Sequence, residues 1–114
     1  MSKLAEIAEK FDFKILCGEE LLNRKVTGGY AGDMLSDVLA HAKKGDIWIT
    51  MQIHLNIVPI AVMKELAGIL IVNGKKPEGE VIQKARDEKV PLLGTSLNTF
   101  QVAGKLYPVV SGHK

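Results

Sequence analysis

The side chains of this chain that could transfer protons, attack a substrate or hold a metal are few: His41, His54, His113, Cys17 and the acidic residues Asp33 and Asp37. The histidines and the cysteine show no metal-ligand spacing, so no metal is expected. Cys17 is the only cysteine, which excludes an intramolecular disulfide. It sits in the apolar stretch Phe13 to Cys17, where a buried, inert thiol is the expectation. Asp33 and Asp37 stand four apart on a predicted helix, a spacing that could aim two carboxylates at one substrate. A helix cap at Asp33 and a solvated Asp37 account for the same pattern more simply. GGYAG lacks the GxGxxG spacing of a dinucleotide site, and NGKKPEG lacks the GxxxxGK[ST] of a phosphate loop. No Ser/His/Asp or Cys/His motif is present. These observations predict no catalytic residues, no cofactor and no enzyme. The alternative is a small-molecule enzyme with His54 as acid/base and Lys75 holding an anion.

Binding chemistry has more to draw on. Small and polar residues gather at four corners: Gly28, Gly29 and Asp33; Thr50, Gln52 and His54; Asn73, Gly74 and Lys75; and Thr95, Ser96, Asn98 and Thr99. Each corner follows a predicted strand, and open α/β sheets collect ligands outside the carboxyl ends of their strands. Helix caps and tight turns need the same residue types. Helix N-termini at about 0.3–1 kcal/mol each would supply at most ~3 kcal/mol from three ends, a millimolar or weaker site. A working site therefore needs more, and Lys75, His54 and Tyr30 are the side chains available to add it.

The corners require elements to position them. Residues 68–72 form an unbroken apolar run, Ile69, Leu70, Ile71 and Val72, behind Gly68 and ahead of Asn73-Gly74. Such a run reads as a strand buried on both faces. Around it a unit of roughly 22 residues recurs three times as strand, polar corner and helix, predicting a largely parallel sheet with helices on both faces. Its members are a strand 46–50 with a helix to Leu66, the strand 68–72 with a helix 78–89, and a strand 90–94 with a helix 98–107. Pro59 falls in the first turn of its helix, where proline is tolerated. Glu80 and Lys84 are set for an i, i+4 pair, and Pro108 is expected to stop the last helix. Ahead of these units lie a helix 2–11 capped by Ser2, a strand 13–17, and a short helical bend at 20–22. The glycines at 28, 29 and 32 mark close backbone approach, and Asp33 is expected to cap a helix ended by Lys43-Lys44-Gly45. The helix carrying Ile57, Val58, Ile60, Ala61, Val62, Met63 and Leu66 is apolar nearly all round, so it is buried on more than one side. Its second cover is either another copy of the chain, giving a homodimer, or the N-terminal segment.

Composition narrows the partners. With 114 residues, 46% hydrophobic and 25% charged, the chain is expected to form one globular domain, residues 1–114, with its own core. A net charge of +2, with no basic run longer than Lys43-Lys44 or Lys75-Lys76, argues against nucleic acid. Those pairs read as solvated surface. No stretch approaches the ~20 apolar residues of a membrane span, and the N-terminus lacks a signal-peptide core, so a cytoplasmic location is expected.

From Val26 to about Leu106 the chain resembles the DRTGG domain family, related to the N-terminal domain of HPr kinase/phosphorylase. The resemblance rests on GGYAGDML, GDIWIT, AGILIVNGKKP and VPLLGTSLNTF in that order and spacing. Thr50, Pro77, Asn98, Thr99 and Phe100 match the family pattern. Its Asp-Arg pair falls on Ile53 and His54, and its Thr-Gly-Gly on Val72, Asn73 and Gly74, of which only Gly74 keeps its identity. The resemblance implies a three-layer α/β/α sandwich and a stand-alone regulatory role, because such domains accompany nucleotide-sensing CBS modules, phosphotransacetylases and pyrophosphatases as accessory parts. The related kinase does its chemistry in a separate phosphate-loop domain. A regulatory or scaffold module that binds a partner protein or a small anionic ligand such as a nucleotide is the function this implies.

Overall fold

The computed structural model describes residues 2–110. In chain order the elements are β1 (Ser2–Lys3), α1 (Leu4–Phe11), β2 (Lys14–Cys17), a 3-10 turn (Glu19–Leu21), β3 (Lys25–Val26), β4 (Gly28–Ala31) and α2 (Leu35–His41). They continue with β5 (Asp46–Thr50), α3 (Ile57–Met63), β6 (Gly68–Ile71), α4 (Gly79–Asp87), β7 (Leu92–Gly94) and α5 (Thr99–Val110). The main sheet has five strands in the order β2-β7-β6-β5-β4. β4, β5, β6 and β7 run parallel, and β2 lies antiparallel on the edge beside β7. The βα crossovers explain the parallel part, since each helix returns the chain to the same end of the sheet.

Side chains alternate across the sheet and build a core on each face. On one face Trp48, Ile69, Ile71 and Leu92 meet Val38 of α2 and Ala42 at its end, Ile57, Val58 and Ala61 of α3, and Val81 and Ala85 of α4. On the other, Ile47, Ile49, Leu70 and Leu93 meet Leu4, Ile7 and Ala8 of α1 and Val102, Leu106 and Val110 of α5. This is the expected three-layer sandwich. β6, with strands on both sides and every residue buried, is its centre.

Several local expectations are corrected. Ser2 does not cap α1, because it pairs with Val26 in a small β1–β3 ladder. The first helical N–H groups of α1 instead donate to loop carbonyls, Leu4 to Arg24 and Ala5 to Leu22, and Glu6 accepts the Lys3 N–H at 3.0 Å. Lys84 pairs with Glu88 at 3.4 Å rather than with Glu80. Pro108 does not stop α5, which runs on to Val110. The carbonyl that loses its partner to the proline is that of Gly104; both residues are exposed, so water can serve it, while burial of Val110 against the sheet holds the helix on course. α3 lies between α2 and α4, on the face away from α1, so the N-terminal segment does not cover it; its Val62 and Met63 are exposed.

α1, α3 and α4 end alike. Asp12, Glu65 and Lys89 take left-handed backbone at φ 59°, 55° and 61°. The following Phe13, Leu66 and Val90 donate their N–H groups back to Ala8, Ala61 and Ala85 at 2.8–3.0 Å. This is the Schellman arrangement, closed by an apolar residue after the left-handed one. Glycine, its usual occupant, is absent from all three.

Candidate functional site

Because β5, β6 and β7 are adjacent and parallel, their carboxyl ends bring Thr50, Asn73 and Thr95 to one rim. The rim is knit by backbone hydrogen bonds: Val72 donates to Thr50 at 3.0 Å, Gly74 to Thr95 at 2.9 Å and Asn73 to Leu97 at 2.8 Å. Asn73 and Gly74 both have positive φ, 63° and 64°, and Lys75 donates to the Val72 carbonyl at 3.2 Å. That is a type I′ turn, which asks for two left-handed residues and so for Asn-Gly. Lys75 and Lys76 thus leave a fixed corner.

The other expected corner residues divide. Gly28 and Gly29 are not on this rim: they begin β4, paired with Asp46 and Ile47 at the start of β5, and so sit at the opposite end of the sheet. A Cβ at Gly28 would lie 2.7 Å from a carboxylate oxygen of Asp46, so that glycine serves packing. Asp33 is on the rim but does not cap α2, whose cap position is Met34. Its Oδ1 accepts from the Thr50 hydroxyl at 2.7 Å and the Met51 N–H at 2.8 Å. The Thr50 oxygen in turn accepts the Gln52 N–H at 3.1 Å, and the Gln52 amide donates to the Asp33 carbonyl at 2.9 Å. Trp48 adds a fifth tie, indole N–H to Gly32 carbonyl at 2.8 Å. The β4–β5 half of the rim is therefore a closed network whose side chains already have partners. Asn98 and Gln101 cap α5 reciprocally: Asn98 Oδ1 accepts the Gln101 N–H at 2.8 Å and Gln101 Oε1 the Asn98 N–H at 3.0 Å. Thr99 opens that helix, and the Thr95 hydroxyl oxygen accepts the Leu97 N–H at 3.2 Å.

The half of the rim between β6, β7 and β2 is open. A cleft of ≈ 390 Å³ there is lined by Gly74, Lys75, Lys76, Pro77, Ile82, Thr95 and Ser96, and by Asp12, Lys14, Leu16 and Gly94. Gly74, Lys75, Thr95 and Ser96 were expected here from the corners; Asp12, Lys14 and Lys76 were not. Lys14 reaches the rim because β2 runs antiparallel, so that its first residue pairs with Gly94, the last of β7. A bulge at Leu16 sets Ile15 opposite Leu93 and Cys17 opposite Leu92. It turns Leu16 and Cys17 both toward the α4 face, where Leu16 becomes a wall of the cleft. Among the described residues, Lys14, Lys75 and Lys76 have no carboxylate within ion-pair distance. Three ammonium groups so placed, beside one carboxylate, make the cleft a locally positive surface.

His54 is not part of it. It is exposed and lines a different cleft, with Asn56, Glu78 and Glu80, that shares no residue with the lysine cleft. The pairing of His54 with Lys75 that an enzyme would use is therefore not assembled. Tyr30 is likewise engaged elsewhere: its hydroxyl donates to the Asp37 carboxylate, whose other oxygen lies 3.1 Å from His41 Nδ1. That bond raises the Tyr30 pKa and, from the other side, lowers that of Asp37, with His41 adding to the second effect. Asp33 and Asp37 do not converge on a common point, since one faces Thr50 and the other Tyr30. Cys17 is buried, its thiol 3.5 Å from the Val90 carbonyl, and burial pushes its pKa up. Among the described residues no three His, Cys, Asp or Glu side chains are grouped to hold a metal, and no helix is long and apolar enough to cross a membrane. His113 lies outside the described residues.

The family model described as the DRTGG domain matches residues 6–109, taking in α1 and β2 as well as the motif-bearing stretch. Among solved structures, the chain is similar to the CBS and DRTGG domains of the regulatory region of Clostridium perfringens pyrophosphatase, complexed with its activator diadenosine tetraphosphate. The TM-score is 0.69 at 18% identity, over 96% of this chain and 46% of that one. At that identity the likeness shows the fold, and the chain spans under half the length of its neighbour. Comparison with curated proteins gives no match.

Proposed function

This chain belongs to the DRTGG domain family, and from that premise we propose that it is a cytoplasmic, non-catalytic regulatory module that acts by binding a small anionic ligand in the lysine cleft. The observation that carries the reading is the set of unneutralised lysines, Lys14, Lys75 and Lys76, on one cleft at the carboxyl rim. Like charges held together cost energy that a bound anion removes. The cleft also lacks the histidine or cysteine that proton transfer or nucleophilic attack would call for, which favours binding over turnover. In the neighbouring pyrophosphatase a regulatory region that contains a DRTGG domain beside CBS domains is complexed with a nucleotide activator, which agrees with such a role.

A ligand that binds only the folded state stabilises it by RT ln(1 + [L]/Kd), about 1.4 kcal/mol at ten times Kd. For a domain of this size that is a rise of several degrees in Tm. Thermal melts across a panel of phosphorylated metabolites should show such a rise, and Lys75→Glu, at an exposed site, should remove it without lowering the ligand-free Tm. A panel with no concentration-dependent shift, or a shift that Lys75→Glu leaves whole, sinks the proposal. The module is further proposed to pair with a second copy through the outward side of α3, where Val62 and Met63 are exposed. Light scattering should then give twice the 12.4 kDa chain mass at micromolar concentration; the mass of a single chain rejects the dimer.

A further inference from the structure

We infer that the lysine cleft selects a phosphate monoester carried on one flat ring, of which a nucleoside monophosphate is the ordinary example, over free phosphate and over a dinucleotide. The inference rests on the reading of this cleft as the ligand site and adds what the ligand must be. Charge is the first ground. Three lysines against Asp12 leave the lining at a formal +2. A phosphomonoester carries about −1.5 to −2 at neutral pH, whereas the bridging phosphates of a dinucleotide carry about −1 each. The lining charge therefore matches one doubly ionised terminal phosphate.

The second ground is the other wall. Leu16, Pro77 and Ile82 present an apolar surface beside the lysines. An inorganic anion would leave that surface wet, while a flat ring laid against it removes apolar area from water on both partners. Asp12 supplies a carboxylate that can accept from a ring amine or a sugar hydroxyl. Size is the third ground. At ≈ 390 Å³ the cleft is near the lower end of the roughly 300–1,000 Å³ range of small-molecule sites, room for one ring and its phosphate. The corner that carries Lys75 and Lys76 is already fixed by the type I′ turn and its bond from Gly74 to Thr95, so little ordering is needed on binding.

The test is calorimetric titration of the intact chain with adenosine and guanosine monophosphates, inorganic phosphate, adenosine, and diadenosine tetraphosphate. At least one monophosphate should bind tenfold or more tighter than inorganic phosphate, the free nucleoside and the dinucleotide. Its affinity should fall as pH drops from 7 to 5, because the phosphate then takes up its second proton near pH 6. Ile82→Ala should weaken the monophosphate and spare inorganic phosphate, while Lys14→Glu should weaken both. Amide NMR shifts on the unaltered chain, expected at Lys14, Gly94 and Ser96, give a readout that does not depend on any variant folding. Inorganic phosphate binding as tightly as the monophosphates, or the dinucleotide binding tightest, overturns this inference and leaves the anion-binding module standing. No binding by any of the phosphorylated probes overturns both.

Discussion

Thr50 has no exposed surface, yet its hydroxyl is the pivot of the β4–β5 corner, donating to Asp33 and accepting from Gln52. Replacing it by valine keeps the shape, leaves the Gln52 N–H without a partner, and takes from Asp33 Oδ1 one of its two donors, the Met51 N–H remaining. An unsatisfied buried group costs about 1–3 kcal/mol, more than the intact bond contributes net. Thr50→Val should therefore lower the unfolding free energy by that amount, read as a lower urea midpoint at unchanged slope, and Thr50→Ser, which keeps the O–H, should recover most of it. Trp48, the only tryptophan, is buried at the same corner through its bond to Gly32 and reports the transition by fluorescence. Equal midpoints for the valine variant and the original chain would show the network to be incidental. Local spacing made Asp33 look like a helix cap because the sequence places it directly before an apolar-periodic stretch. Its true partner is 17 positions away, across the sheet, and only the β4–β5 pairing reveals it.

At the scale of elements, the same helix ending is used at Asp12, Glu65 and Lys89, each time with a side chain where glycine is cheaper. Left-handed backbone costs an L-residue on the order of 1 kcal/mol, offset in part by the entropy that glycine would lose on folding. Lys89→Gly should accordingly raise the unfolding free energy by about 0.5–1 kcal/mol. Lys89 is the cleanest position, because its carbonyl, not its side chain, is what Arg24 binds, at 2.8 Å. Glu65→Gly should gain slightly less, since it also gives up an exposed pair with Lys44, worth little in water. A lower midpoint for Lys89→Gly would mean its side chain does something the backbone geometry does not reveal. These endings were hard to foresee because the usual signal is glycine. The legible signal is alanine four residues before the left-handed position and an apolar residue after it. By contrast β5 and β6 were readable outright, since continuous apolar runs bounded by glycine or by Asn-Gly admit few other readings. β2 was readable as a strand but not in direction. Periodicity carries no direction, so Asp12 and Lys14 escaped notice as rim residues.

For the whole molecule, the sheet order makes stability uneven in a way that bears on function. β6 is hydrogen-bonded on both sides and buried on both faces, whereas β2 is an edge strand with a bulge and an exposed first residue. Amide hydrogen exchange should rank them accordingly. Ile69, Leu70 and Ile71 should exchange only through global unfolding, and the amides of Lys14–Cys17 should open with a free energy lower by about 1 kcal/mol or more. The lysine cleft spans this gradient, because Lys75 leaves the end of β6 while Lys14 and Leu16 belong to β2. A ligand held from both sides must therefore raise protection on β2 more than on β6, since the core strand has no local opening left to suppress. That difference is how binding at the rim would be transmitted: the edge strand and the end of α1 behind it are stiffened, while the centre stays as it was. Equal protection of the two strands without ligand, or a ligand effect confined to β6, would remove the edge strand from any regulatory role.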